Sequence, residues 1–258
     1  FETDASAQLV TPGQPEAGIP YPSTTTETRL EGKLTGSIGS DHRVMLSYFE
    51  IEEDYENEIV FGPAARVAAI RTGASPQAGV SLTYTGVLSD NFFVDALYSK
   101  REFTFEGGGG TNTELGGSPV WDLLESITFN DAWFDGAGPP EERDNENYYA
   151  KASWFFSGAG THDLVFGVDY FDDQRKANNR QTASGYAYAP FVEQNYSTPG
   201  EPLVVIEPYG GYVIWGDVLQ DSQGSHVETT SLYVNDTWRI NDKLTVNVGV
   251  RYDQHDAT

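Results

Sequence analysis

The chain has 258 residues, with Lys+Arg 15 against Asp+Glu 39, a formal net charge of −24 and no cysteine. That balance excludes the basic stripe that nucleic-acid phosphates require, and the lack of cysteine excludes a disulfide framework or a thiolate metal site. No apolar run reaches 18 residues, which excludes a transmembrane helix but not membrane-crossing strands, whose hydropathy signal is weak per segment.

Phe1-Glu2-Thr3-Asp4 carries no basic region followed by an apolar core, so no signal peptide is expected and the chain reads as processed or truncated. A long polar segment fills 1–29. From Leu30, the residues Leu30, Gly32, Leu34, Gly36 and Ile38 alternate with Glu31, Lys33, Thr35 and Ser37. After a turn at Gly39-Ser40-Asp41, Val44, Leu46 and Tyr48 continue the apolar face, which predicts a hairpin over 30–53. A loop over 54–78 follows. Val80, Leu82 and Tyr84, a turn near Ser89-Asp90-Asn91, then Phe92, Val94, Ala96 and Tyr98 predict a second hairpin over 79–104.

The next loop, 105–145, holds the glycine run 107–110 and the acidic stretch Glu141-Glu142-Arg143-Asp144. One short helix is expected within it, capped by Ser118, with Pro119 at its first position and Val120 to Ser126 following. The third hairpin, 146–173, places Tyr148, Ala150, Ala152, Trp154 and Phe156 before Ser157-Gly158-Ala159-Gly160, and Leu164, Phe166, Val168 and Tyr170 after it. A loop over 174–226 leads to the fourth hairpin, 227–256. There Leu232, Val234 and Trp238 precede Asn241-Asp242, and Leu244, Val246, Val248, Val250 and Tyr252 follow.

Each predicted strand carries roughly ten alternating residues, about the length that crosses a bilayer at a ~45° tilt. Long unstructured loops count against a compact soluble domain. Phe92, Trp154, Phe156 and Trp238 cluster beside the short turns, whereas Tyr48, Tyr98, Tyr170 and Tyr252 lie further along, towards the long loops. Two aromatic belts separated by Val, Leu, Ala and Gly form a membrane pattern. The opposite face holds Glu31, Lys33, Asp95, Lys151, Asp169, Asn247, Arg251 and Asp253, which an apolar core would not accept unpaired. A wet lumen accepts them, as does the solvated side of a soluble sheet; the aromatic belts favour the lumen. The expected fold is therefore all-β, an antiparallel transmembrane β-barrel segment with long extracellular loops, in the cell outer membrane. Short turns on the periplasmic side put both chain ends outside the cell, so about eight internal strands of a larger barrel are expected.

Leu232-Tyr233-Val234-Asn235-Asp236-Thr237-Trp238 and Leu244-Thr245-Val246-Asn247-Val248-Gly249-Val250-Arg251-Tyr252-Asp253 resemble a hairpin common in TonB-dependent receptors. Lys151 to Phe156, Gly160 to Gly167 and Phe171 to Gln181 are similar to the Oar-like branch of that family. The resemblance implies a barrel of about 22 strands, a plug and N-terminal domains outside these residues, and energisation through the TonB complex. It transfers no catalytic residue, and the ligand contacts of the family lie in variable loops.

The remaining motifs yield no catalytic, cofactor-binding or metal residue. His42, His162, His226 and His255 are scattered and read as turn or surface residues. The glycine run lacks the Lys-Ser/Thr of a phosphate loop, and no G-x-S-x-G nucleophile elbow is present. Asp169, Asp172 and Asp173, or Glu50, Glu52, Glu53 and Asp54, offer oxygen ligands for calcium, but match no defined calcium loop and read as an acidic rim. Tyr186, Tyr188, Phe191, Tyr196, Tyr209, Tyr212 and Trp215 either capture a substrate or pack the third loop onto itself. The sequence thus points to a non-enzymatic outer-membrane receptor or transporter of unidentified substrate. Its expected partners are membrane lipid, lipopolysaccharide and TonB, with no nucleic acid and no cofactor. A structural or adhesive surface barrel, or a secreted carbohydrate-binding β-protein, is the alternative.

Overall fold

A computed structural model describes residues 2–8, 20–58, 71–107, 110, 112–121, 128–131, 140–176, 182–189, 191–193, 203–205, 212–215 and 224–258. The architecture is all-β, and every strand pair of its main sheet is antiparallel. Its main sheet contains β1 (Glu2–Gln8), β2 (Pro20–Ile38), β3 (His42–Glu58), β4 (Arg71–Ala74), β5 (Gln77–Ser89) and β6 (Phe92–Gly107). It continues through β9 (Glu141–Ser157), β10 (Thr161–Lys176), β15 (Ser225–Asn241) and β16 (Leu244–Ala257). Neighbours follow chain order, and β4 and β5 both lie between β3 and β6. They are one strand interrupted at Ser75-Pro76, where proline removes a ladder donor. The ladder is carried across the break by Ser75 N–H to Glu53 O (2.8 Å) and Thr104 N–H to Pro76 O (3.0 Å).

The register shows how far the strands tilt. One row of partners runs Ile38, His42, Gly86, Val94, Ala152, Phe166, Val234, Val250. Ile38 lies two residues before the centre of its turn at position 40, and Val234 lies eight before the centre of its own at position 242. The turns therefore slip by about one residue per strand. With a ~3.3 Å rise and ~4.8 Å strand spacing, that slip corresponds to a tilt of about 35°, within the range that closes barrels.

The strands are longer than the alternation predicts: β3, β9 and β15 have 17 residues each. At about 3.3 Å per residue and 35° of tilt they rise roughly 45 Å, well beyond an apolar band of about 25 Å. The alternation marks only the part inside the membrane; beyond it both faces are wet and no alternation is required.

β1, β4 and the outer ends of the long strands occupy much of the segments expected as loops, and the described parts of 105–145 and 174–226 off the main sheet include two smaller sheets. One joins β7 (Val120–Trp121), β8 (Thr128–Phe129), β11 (Tyr186–Ala189) and β14 (Tyr212–Trp215); the other pairs β12 (Phe191–Glu193) with β13 (Leu203–Val205). The helix expected from Ser118 is not formed over its described part. A short 3-10 turn spans Leu115–Gly117, and Val120 and Trp121 are strand. Ser118, restricted by the following proline, is extended (φ −56°, ψ 148°), and its hydroxyl bonds back to Leu115 O at 2.8 Å instead of capping forward. β-Branched Val120 then pairs with Phe129 and Tyr188. Residues 122–126 lie outside the described residues.

Candidate membrane-facing and lumen-facing surfaces

Directly paired residues share a face, so the register sorts every side chain of the main sheet. One face collects the alternating apolar residues of all four hairpins, and its large side chains are exposed: Leu34 by 71%, Val250 by 64%, Tyr252 by 63%. The buried apolar side chains, among those described, are few and mostly small: Ile51, Pro119, Val120, Ala152, Ala187 and Ala189. A soluble sandwich would cover one face of its sheet and bury large side chains there. Here the apolar face has no protein over it and requires another apolar phase, which a bilayer supplies.

At the turn end of this face the rings predicted as a belt meet. Trp154 and Phe156 lie 4.7 Å apart between ring centres, Phe156 stacks on His162 at 4.6 Å, and His162 stacks on Trp238 at 5.4 Å. The Trp238 indole donates to Ala159 O at 3.0 Å, anchoring the belt to the β9–β10 turn. Towards the loops, Tyr98, Tyr148 and Tyr170 occupy one row. Tyr48 sits one row nearer the loops and Tyr252 one nearer the turns. A level belt on tilted strands has to step across rows in this way.

His162 holds the Asp236 carboxylate on the apolar face. Its Nδ1 lies 2.7 Å from Asp236 Oδ2, and its Nε2 lies 2.9 Å from Gly158 O. The pair is mostly covered, with side chains 14% and 19% exposed. His162 was expected at a turn, and there it is; the partner, 74 positions away, was not legible.

The other face is polar and ion-paired. Lys151 lies 3.5 Å from Asp95, and Arg251 bridges Asp169 (3.4 Å) and Asp253 (2.7 Å). The Ser231 hydroxyl donates to Asp253, and Arg251 donates to the Ser231 oxygen at 2.7 Å. Towards the loops this face carries Arg101 over the Phe103 ring (5.2 Å) and Arg143 over Phe105 (4.7 Å). Glu141 accepts from Arg143 at 2.7 Å and from Arg175 at 3.5 Å. On the lipid-side face, at the strand ends beyond the tyrosine belt, the Lys176 ammonium is held above its ordinary pKa by its hydrogen bond to Glu142, and Lys100 likewise by Glu102.

The acidic stretches divide between the faces. Asp172 lies on the apolar side of β10, beyond Tyr170, whereas Asp169 and Asp173 lie on the polar side, so the three do not converge. Glu50, Glu52 and Asp54 share a face that Glu53 does not. His255 contacts Thr229 Oγ1 at 2.9 Å on the polar face. His42 stacks on Tyr84 at 6.0 Å. His226 joins Asp172 and Glu228, a grouping that no sequence spacing announced. Of the aromatic loop residues, Tyr186 pairs with Trp215 and Ala189 with Tyr212, while the Ser118 and Ser184 hydroxyls meet at 2.6 Å. The second and third loops are thus joined to each other. Tyr196, Tyr209 and the middle of the glycine run lie outside the described residues.

The two-faced, tilted sheet with aromatic belts defines an outer-membrane β-barrel wall. The chain belongs to the outer membrane beta barrel domain family, whose model matches residues 8–258. Its fold is similar to that of the outer membrane transporter YddB from Escherichia coli, at 12% identity and a TM-score of 0.53 over 99% of this chain and 30% of that one. Also similar are the siderophore receptor PirA from Acinetobacter baumannii (15% identity, TM-score 0.48, 90% and 29% covered) and a mutant of the ferric enterobactin receptor PfeA from Pseudomonas aeruginosa (13%, 0.49, 91% and 29%). The chain spans about 30% of the length of YddB. No curated protein sequence matches it.

Proposed function

We propose that this chain is part of the barrel wall of a TonB-dependent outer-membrane receptor of the Oar-like branch, taking up or passing a substrate across the outer membrane. The observation that carries the reading is the ion-paired polar face behind a lipid-compatible one: Lys151–Asp95 and the Arg251–Asp169–Asp253 group need water or a polar plug in front of them. The hairpin resemblance to TonB-dependent receptors and the YddB-like fold support it. In this reading the short turns are periplasmic, the long loops face outwards, and lipopolysaccharide surrounds the acidic strand ends. Arg101, Arg143, Phe103 and Phe105 then lie on the lumen wall near the mouth, where an entering solute passes. The reading assigns no catalytic residue and calls for no cofactor.

The competing reading is a surface barrel that displays loops without transport, favoured by the strand pairing that joins the second and third loops. Photocrosslinking of the full-length protein to TonB in intact cells separates the two. A crosslink that depends on the periplasmic plug supports transport. Its absence, in cells where another receptor crosslinks, leaves the display role.

A further inference from the structure

A cluster of metal-ligating side chains outside the lumen network lies on the lipid-side face, just beyond the tyrosine belt. Asp172 on β10 pairs directly with Glu228 on β15, and His226 stands two residues further along the same face. His226 Nε2 lies 2.8 Å from Asp172 Oδ1 and 3.6 Å from Glu228 Oε1, and one donor atom from each residue falls within 4.8 Å of the other two. Donors held tetrahedrally at ~2.1 Å from a zinc ion stand about 3.4 Å apart. The three groups therefore reach that arrangement by side-chain adjustment alone.

Two further features fit a cation. Among the described residues, Asp172 and Glu228 form no ion pair with Lys or Arg, so the imidazole supplies at most one positive charge against two negative. The Tyr170 hydroxyl lies 3.4 Å from Asp172 Oδ2 and 3.3 Å from Glu228 Oε1, within reach of donating its proton to either carboxylate. An imidazole with two carboxylates suits zinc-type ions, whereas calcium demands six to eight oxygens.

We infer that Asp172, His226 and Glu228 form a binding site for a divalent zinc-type cation that ties the end of β10 to the start of β15, at the base of the third long loop. The test is titration of the full-length protein in detergent micelles with Co²⁺, read by its visible absorption, and with Zn²⁺ in competition. One equivalent should bind with the spectrum of a nitrogen-ligated, low-coordinate ion, and Zn²⁺ should displace it.

His226→Ala and Glu228→Gln should each weaken binding by more than the roughly 10–100-fold typical of losing an outer-shell partner, and Tyr170→Phe by about that amount. Asp173→Asn, on the opposite face of β10, should leave binding unchanged. Folding of each variant is checked by the heat-dependent gel shift of the barrel. Equal titration of wild type and His226→Ala, equal weakening by Asp173→Asn, or displacement by Ca²⁺ at equimolar concentration would each overturn the site. Any of these would reduce the cluster to diffuse counter-ion attraction. None of the outcomes bears on TonB coupling.

Discussion

At the scale of single residues, position along the strand decides what a side chain tolerates. Val250 faces outward between the belts, with Val234 and Phe166 in its row. Val250→Arg should cost about 2–4 kcal/mol, seen as a lower folded fraction when the full-length protein assembles into vesicles; wild-type assembly would contradict the lipid-facing assignment. His162 and Asp236 make the opposite case, a charge held on that face by its partner. His162→Ala strands a carboxylate whose second oxygen already has no hydrogen-bond partner, and should lower the folded fraction. Asp236→Leu together with His162→Ala should recover most of that loss. A double variant as unstable as the single one would show that ring packing, not the charge pair, matters there.

At the scale of elements, turn geometry fixes the register. Ala159 and Gly160 both take positive φ, 54° and 126°. A Cβ on Gly160 would stand 2.4 Å from Arg239 O and 2.9 Å from Trp238 Nε1. Gly160→Val must therefore push β15 away or break the turn, a strain of about 1–3 kcal/mol or more. Slowed assembly and loss of the Trp238 anchor to Ala159 are expected, followed by tryptophan fluorescence. The Lys176–Glu142 pair behaves differently with pH. Its ammonium pKa is raised in the folded state, so the contribution is fully present below the ordinary lysine value and is lost only as pH rises through the raised one. Assembly measured between pH 6 and 9 should not change through this pair, and an altered midpoint in Lys176→Met alone within that window would contradict it.

At the scale of the molecule, the unburied apolar face is the dominant physical fact, because membrane lipid must take the place of a core. Trp154 and Trp238 sit on that face at the turn end. Single-tryptophan variants keeping either ring should be quenched by lipids brominated near the headgroup more than by lipids brominated at the chain ends. Quenching by aqueous iodide instead would place the face in water.

The alternation of Leu244 to Tyr252 and the two aromatic belts were legible in the sequence because the bilayer imposes them residue by residue, with no need to know which strand is adjacent. Strand ends were not, since outside the apolar band neither face is constrained; β9 accordingly begins at Glu141 rather than near 146. The Ser118–Pro119–Val120 segment read as a helix start on local signals, but the partners that make Val120 a strand come from Phe129 and from Tyr188 in another loop. What the sequence alone determined is which side of each strand meets lipid. What only the tertiary structure decided is the one-residue slip between neighbouring strands and the meetings it creates: His162 with Asp236, and Asp172 with His226. Those contacts join positions 54 to 74 apart, and register, not local pattern, sets which side chains come within reach.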